Sequence, residues 1–383
     1  MDDLSSGKIL QSCRPLAALS TPNEAIRQFT PNWFATTMGT GILALVLGQL
    51  PGNNPALWQL GKIFWLLNIV LFVVFIAMYT ARWVLFFHEA RQVFGHPTVS
   101  MFLGAIPMSL ATVINGLVQY GLPSWGDAVI PWAHALWWLD VAMALACGVL
   151  IPFMMFTRQE HSIDQMTAVW LLPVVAAEVA AASGGVIAQH LSHANAQFNM
   201  LITSYVLWAY SVPVALSILV ILVLRLALHK LPHENMAAST WLSLGPIGTG
   251  ALGMLLIGSE APAIFASHGL TNIGQVAAGI GLIVGTLLWG LGLWWLLLAV
   301  LITARYAKEG IPFNLGWWGF IFPLGVYALT TLKLGAMLDL AFFDVLGVFF
   351  VAALSAMWLV VASKTANGAY RGHLFVSPCI AGA

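Results

Sequence analysis

Charge is scarce in this sequence. Only 7% of its 383 residues are Asp, Glu, Lys or Arg, where a soluble domain carries about 25%. The 14 basic and 14 acidic residues cancel, which leaves no basic face for a nucleic acid and no reason to expect one as a partner. Cysteine is equally sparse. Cys13, Cys147 and Cys379 lie too far apart for a CxxC metal site and form no recognisable disulfide framework. Phosphate loops and dinucleotide fingerprints are missing, and His88-Glu89 begins like a zinc-protease motif but lacks the second histidine. His190 and His193 stand at i and i+3 with no Cys, Asp or Glu nearby in sequence to complete a metal site. These absences exclude a soluble enzyme and give no cofactor or metal to expect. The N-terminal stretch MDDLSSGKILQSCRPLAAL has early acids and a broken apolar run, unlike a signal peptide.

What the sequence does have is apolar length: 60% of it is hydrophobic. A spanning helix needs about 20 mainly apolar residues. Ten stretches qualify, at 33–50, 57–87, 99–120, 129–155, 167–190, 197–228, 237–259, 272–304, 314–337 and 341–363. The fold class expected is an all-α polytopic membrane protein whose partner is the lipid bilayer. A tail at 1–32 precedes the ten-helix domain at 33–364, and a second tail follows at 365–383. Loops after the even spans are polar and basic. If the spans alternate, only Lys62 and Lys333 of the 14 basic residues fall on the side opposite the N-terminus. By the positive-inside rule both termini are cytoplasmic, as an even number of spans requires.

The spans also repeat weakly in pairs. Four odd spans carry a proline at similar depth, Pro107, Pro173, Pro246 and Pro323, read here as mid-span kinks, and the first has Gly39 and Gly41 instead. A proline removes a backbone donor, and in a membrane the freed carbonyl must lie inside protein or beside water. The odd spans are rich in small and hydroxyl residues, the even ones in bulky apolar residues. Five kinked inner helices lining a central pore, inside five outer ones, follow as the expectation. Thr36, Thr37, Thr40, Ser183, Gly184 and Gly248 are then the candidate pore-lining, anion-binding positions. Close helix packing would use the same residue types.

Ionisable residues at membrane depth are the remaining signal. Glu178 lies halfway along the fifth span and reads either as a proton-titrating group or as a structural hydrogen-bonding residue. Lys333, near the outer end of the ninth, either draws anions to the mouth or snorkels to the interface. Asp140, midway along the fourth, reads as an inter-helix hydrogen bond, with a transport role as the alternative. Phe320 and Phe322 stand just before Pro323, where a ring can project into a narrow lumen or pack in the core. Gly281-x-x-x-Gly285 in the eighth span permits a close helix crossing, within a hairpin or between protomers.

The segments TPNWFATTMGTGIL, WLLPVVAAEVAAASGGV, LGPIGTGALG and WWGFIFPLGV, within residues 30–365, resemble the tellurite-resistance/dicarboxylate transporter family. That family includes bacterial tellurite-resistance proteins, plant slow anion channels, fungal malate permeases and fungal sulfite efflux pumps. The resemblance implies five hairpins around a pore in each protomer, a homotrimer and no enzymatic activity, and the short tails and unadorned core point to a bacterial inner membrane. It also implies a phenylalanine gate, Phe322 by alignment, or Phe320 if the register slips by two. Small anions are the implied substrates: a C4-dicarboxylate such as malate, or a sulfite- or tellurite-type anion, with proton coupling through Glu178 as one mechanism. The alternative is a passive chloride or nitrate channel plugged by Phe322. No arginine lies in the inner spans, so amide N–H groups and hydroxyls would have to hold the anion. Hydrogen malate or bisulfite would then cross more readily than the dianions.

Overall fold

The computed structural model describes residues 15–52 and 54–381. Residues 1–14 of the N-terminal tail assigned above, Cys13 among them, lie outside the described residues. The described chain is built of helices. The ten principal ones are α1 (Phe34–Leu47), α2 (Pro55–Leu85), α3 (Ala105–Gly116), α4 (Ile130–Thr157), α5 (Leu172–Ala188), α6 (Ala194–His229), α7 (Leu244–Ala266), α8 (Thr271–Glu309), α9 (Ile321–Leu338) and α10 (Ala341–Arg371). Nine helical segments among the described residues are long and apolar enough to cross a membrane. The tenth, α1, has 14 residues, about 21 Å at 1.5 Å per residue. It needs no greater length, because all of its residues are buried in protein.

Burial separates the helices into two layers. The apolar windows of α2, α4, α6, α8 and α10 are only 22–33% buried, whereas those containing α3, α5, α7 and α9 are 72–94% buried. The five odd helices touch in a closed cycle, α1 to α3, α5, α7, α9 and back to α1, and each even helix packs on the odd helix before it. The inner and outer rings expected from composition are therefore present. α10 continues to Arg371, beyond the expected limit at 363.

One hydrogen bond recurs around the ring. Each outer helix donates a tryptophan indole N–H to the inner helix of the next hairpin. Trp65 on α2 reaches the Val113 carbonyl of α3 at 3.1 Å, and Trp137 on α4 the Ala180 carbonyl of α5 at 2.8 Å. Trp208 on α6 reaches the Gly250 carbonyl of α7 at 2.8 Å, and Trp289 on α8 the Thr331 hydroxyl of α9 at 2.9 Å. Trp358 on α10 closes the cycle on the Thr40 hydroxyl of α1 at 3.2 Å. Indole has one donor and a large apolar body, so each ring fills the groove between hairpins while its N–H satisfies a buried acceptor.

The prolines are not mid-span. Pro107, Pro246 and Pro323 are third residues of α3, α7 and α9, and Pro173 is the second residue of α5. A tight 3₁₀ turn precedes three of these helices, at Val99–Gly104, Ala168–Leu171 and Leu315–Phe320. Before α7 stands the short helix Ser239–Leu242. In a first turn the missing N–H has no partner to lose, so the break falls there and the rest of the helix is regular. Gly281 and Gly285 serve the α7–α8 contact within one hairpin. A Cβ on Gly281 would lie 2.6 Å from the Met254 carbonyl oxygen, and one on Gly285 2.6 Å from a Leu255 methyl.

Both described chain ends lie at one end of the bundle. Arg82, fully buried, donates to the Phe29 carbonyl at 2.5 Å and the Ser377 hydroxyl at 3.1 Å. Arg27 pairs with both oxygens of Glu89 at 2.7 and 2.8 Å, which holds the Glu89 carboxyl below the usual carboxylate range. This end is called the termini side below.

Replacing any one of Trp65, Trp137, Trp208, Trp289 or Trp358 by Phe is expected to lower stability by about 1–3 kcal/mol, because a buried acceptor loses its donor. The midpoint for loss of the monodisperse peak on heating in detergent measures this. Trp132→Phe is the control, at a side chain 70% exposed. Five variants as robust as the control would show that the indole bonds carry no stability.

Candidate functional site

The ring encloses two separate hollows, one towards each end. The termini-side vestibule has a volume of about 160 Å³ and takes residues from the starts of all five inner segments, among them Asn32, Thr98, Leu172, Asn235, Ser239 and Asn314. No charged side chain lines it. Five helical segments begin there, so the positive ends of their dipoles face this cavity. Asn314 is held in place: its Oδ1 accepts from the Gly316 amide at 2.7 Å and its Nδ2 donates to the Asn235 carbonyl at 3.0 Å.

The opposite vestibule, about 320 Å³, is formed by the last turns of α1, α3 and α5 and by middle turns of α7 and α9. Gln49, Asn115, Gln119, Gln189, His190, Glu260 and Lys333 provide its polar surface. Lys333 and Glu260 sense each other's charge, yet they are not among the ion pairs found within 4.0 Å in the described residues. Here the helix C-terminal carbonyls make the potential negative, and the Lys333 ammonium opposes it. Partial burial holds the His190 imidazole below its ordinary value, against a weaker pull from Asp127. Among the described residues no three His, Cys, Asp or Glu side chains are grouped to hold a metal.

What separates the vestibules follows from helical stride. The termini-side cavity is lined by Gly319, in the 3₁₀ turn that leads into α9, and the opposite one by Leu329 and Lys333 of α9. Steps of three and four residues keep to one helix face, and they place Phe322 and Val326 on that face in between. The same stride puts Ile42 between Met38 and Leu45 on α1, and Val175 and Val179 between Leu172 and Ala182 on α5. On α3 it gives Met108 between Ala105 and Asn115, Thr112 being turned to Gly41 of α1 and Asn68 of α2, and from Leu242 in the short helix before α7 to Leu252 on α7 it gives Gly245 and Thr249. These residues, Thr112 aside, form a collar. All are buried and none is charged. Thr112 has its hydroxyl engaged, donating to the Ser109 carbonyl and accepting from Asn68 of α2.

Most of the hydroxyls and glycines singled out from the sequence lie elsewhere, in helix-to-helix contacts. Thr37 donates to the Phe34 carbonyl and meets Ser109 of α3 at 2.9 Å, and Thr40 accepts from Trp358. Ser183 donates back to the Val179 carbonyl. A Cβ on Gly184 would strike Ser204 and Trp137 of the outer ring, and one on Gly248 would press on the Tyr327 backbone of α9. Thr36 is buried with an unpartnered hydroxyl, one residue off the collar stride. None of the six lines either vestibule. Composition could not distinguish close packing from lumen, because both use small residues.

Phe320 packs edge-on against Trp241 and Trp317, with ring centroids 5.6 and 5.9 Å away, off the collar face. Glu178 adjoins the collar residue Val179 but turns one oxygen to Ser211 of α6 at 3.2 Å; its other oxygen is buried without a partner. Both carboxylate oxygens of Asp140 are likewise buried and unpartnered, so the expected inter-helix hydrogen bond is not formed. Most polar residues of the two vestibules were not singled out from the sequence, among them Asn235, Asn314, Gln49, Asn115 and Gln189. Glu260 stands one residue past the expected end of its span, and Thr249 is found only by counting threes and fours from Leu242.

Residues 28–366 match the family described as voltage-dependent anion channel. A sulfite efflux pump of Arthroderma benhamiae is 38% identical, over 92% of this chain and 93% of its own length. An uncharacterized transporter of Methanocaldococcus jannaschii is 28% identical, over 94% and 99%. A malic acid transport protein of Schizosaccharomyces pombe is 24% identical, over 88% and 78%. Transport proteins and a channel family, not enzymes, are what the chain is similar to.

The two-vestibule geometry predicts one-sided accessibility. With Cys13, Cys147 and Cys379 replaced by Ser, Ser239→Cys should react with a membrane-impermeant thiol reagent from the termini side only. Gln189→Cys should react from the other side only, and Val326→Cys from neither. Labelling of Ser239→Cys from both sides would show that no collar separates the cavities.

Proposed function

The chain belongs to the voltage-dependent anion channel family, and we propose that it passes small singly charged oxyanions, hydrogen sulfite foremost, along the axis of its inner ring. The observation that carries this reading is the pair of vestibules on one axis with a charge-free collar between them. The desolvation cost of an ion grows steeply with its charge. A collar without a counter-ion therefore favours hydrogen sulfite over sulfite, and a compact monovalent anion over malate dianion. The sulfite efflux pump's 38% identity, against 24% for the malic acid transport protein, supports the same order.

Phe322 is the plug in this reading, a ring whose bulk and dryness close the collar. Lys333 collects anions in the vestibule opposite the termini. A proton-coupled carrier is the second reading. Glu178 favours it, because a carboxyl with one buried, unpartnered oxygen beside the collar could take up a proton. We place the protein in a plasma membrane, and the Lys and Arg asymmetry supports both termini in the cytoplasm. The fungal and archaeal relatives do not single out a bacterial inner membrane. A homotrimer remains the proposed assembly.

Proteoliposomes with voltage clamped by potassium and valinomycin test the reading, with sulfite and malate compared across pH. Flux should track the hydrogen sulfite concentration, falling as pH rises at constant total sulfite, and Phe322→Ala should raise it several-fold. Flux that follows the dianion, or is indifferent to Phe322→Ala, would overturn the axial path. Uphill accumulation driven by a pH gradient and abolished by Glu178→Gln would establish the carrier over the channel.

A further inference from the structure

Hydroxyls on the inner helices are almost all engaged. Ser109 donates to the Ala105 carbonyl, Ser183 to Val179, Thr330 to Val326 and Thr331 to Tyr327, each four residues back. Thr249 is different. It is 1% exposed, and its Oγ1 is buried with no hydrogen-bond partner. A buried hydroxyl left unpaired costs about 1–3 kcal/mol, so Thr249 Oγ1 is free to donate to a polar ligand.

The surroundings of α7 show which way Thr249 points. A Cβ on Gly248 would meet the Tyr327 backbone of α9 at 3.2 Å, and one on Gly250 would meet Val212 of α6 at 3.1 Å and Leu288 of α8 at 3.4 Å. Thr249, between them in sequence, is directed to the remaining side, the ring axis. One turn before it on the same face is Gly245. A Cβ there would find only Pro323 Cγ, at 4.0 Å. The collar thus holds a small hollow beside Gly245 with a free hydroxyl at its edge. Thr36 Oγ1 and Ser243 Oγ also lack a partner, but both lie off the collar stride.

We infer that Thr249 Oγ1 and the hollow at Gly245 form the binding point where a small, well-hydrated oxyanion is held, stripped of part of its water, as it crosses the collar. The inference rests on the axial path proposed above. Thr249 is the collar's one unengaged hydroxyl, so it substitutes for a water of hydration. Without it the collar is purely apolar and ranks anions by ease of dehydration alone. Thr249 is therefore a selectivity residue: it lets a strongly hydrated oxyanion compete with a weakly hydrated anion of the same charge.

The test is the ratio of hydrogen sulfite flux to thiocyanate flux, measured on the same proteoliposomes so that expression and folding cancel. Thr249→Val keeps the shape and removes the donor. It should lower the ratio by at least about tenfold, as expected for losing one hydrogen bond to a charged group, with thiocyanate flux retained. Thr249→Ser should restore the wild-type ratio. Equal losses for both anions in Thr249→Val, or an unchanged ratio, would overturn the inference. The same ratios are taken with Phe322→Ala added. If Phe322→Ala raises flux while Thr249→Val leaves the ratio unmoved, the selectivity role alone fails. If Phe322→Ala changes nothing, the axial path fails as well.

Discussion

Five indole N–H groups, each passed from an outer helix to the inner helix of the next hairpin, hold this protein as a ring. In a bilayer there is no hydrophobic force between helices, and association rests on packing and hydrogen bonds. The bonds run in one direction and close on themselves, so every hairpin is both donor and acceptor. The inner helices can then be short, glycine-rich and broken in their first turn. Gly41 shows how close the approach becomes: a Cβ there would lie 2.4 Å from the Thr112 Cβ and 2.7 Å from the Asn68 amide nitrogen. A helix with its prolines and small residues facing lipid would leave polar backbone unsatisfied. Enclosed by the outer ring, it can border cavities.

The electrostatics follow from that enclosure. Five helical segments start at the termini-side vestibule, and three of the helices end at the other while α7 and α9 run past it. Their dipoles make the first attractive to anions without a fixed cation. In the second, Lys333 stands against the carbonyl ends, with Glu260 moderating its field. Between the two, the collar has no charge. An ion held by a full counter-charge in so dry a place would bind too strongly to leave. A single hydroxyl and a hollow at a glycine offer a weaker hold, suited to passage.

Much of this architecture is legible in the sequence. Scarcity of charge and ten apolar stretches suffice for the fold class. The alternation of small-residue and bulky spans is enough to separate inner from outer helices. The prolines mark the inner spans correctly but not their mid-points, since proline is tolerated best where a helix begins. The site was read less well. Thr37, Thr40, Gly184 and Gly248 have the composition of a lumen and the geometry of a packed interface. The recurring tryptophans at 65, 137, 208, 289 and 358 carried the ring's repeat in plain view, but hydropathy does not distinguish a donor-bearing ring from any other bulky residue.

The sequence by itself determined the membrane class, the pairing of spans and the near absence of charge from the interior. These depend on transfer free energies, which sum residue by residue along the chain. Only the tertiary structure decided which face of each inner helix meets the axis. That is an angular relation among five helices, set by Trp-to-backbone bonds and glycine contacts between residues about 40 to more than 300 positions apart. It turned Thr37 and Thr40 into packing and left Thr249 facing the hollow.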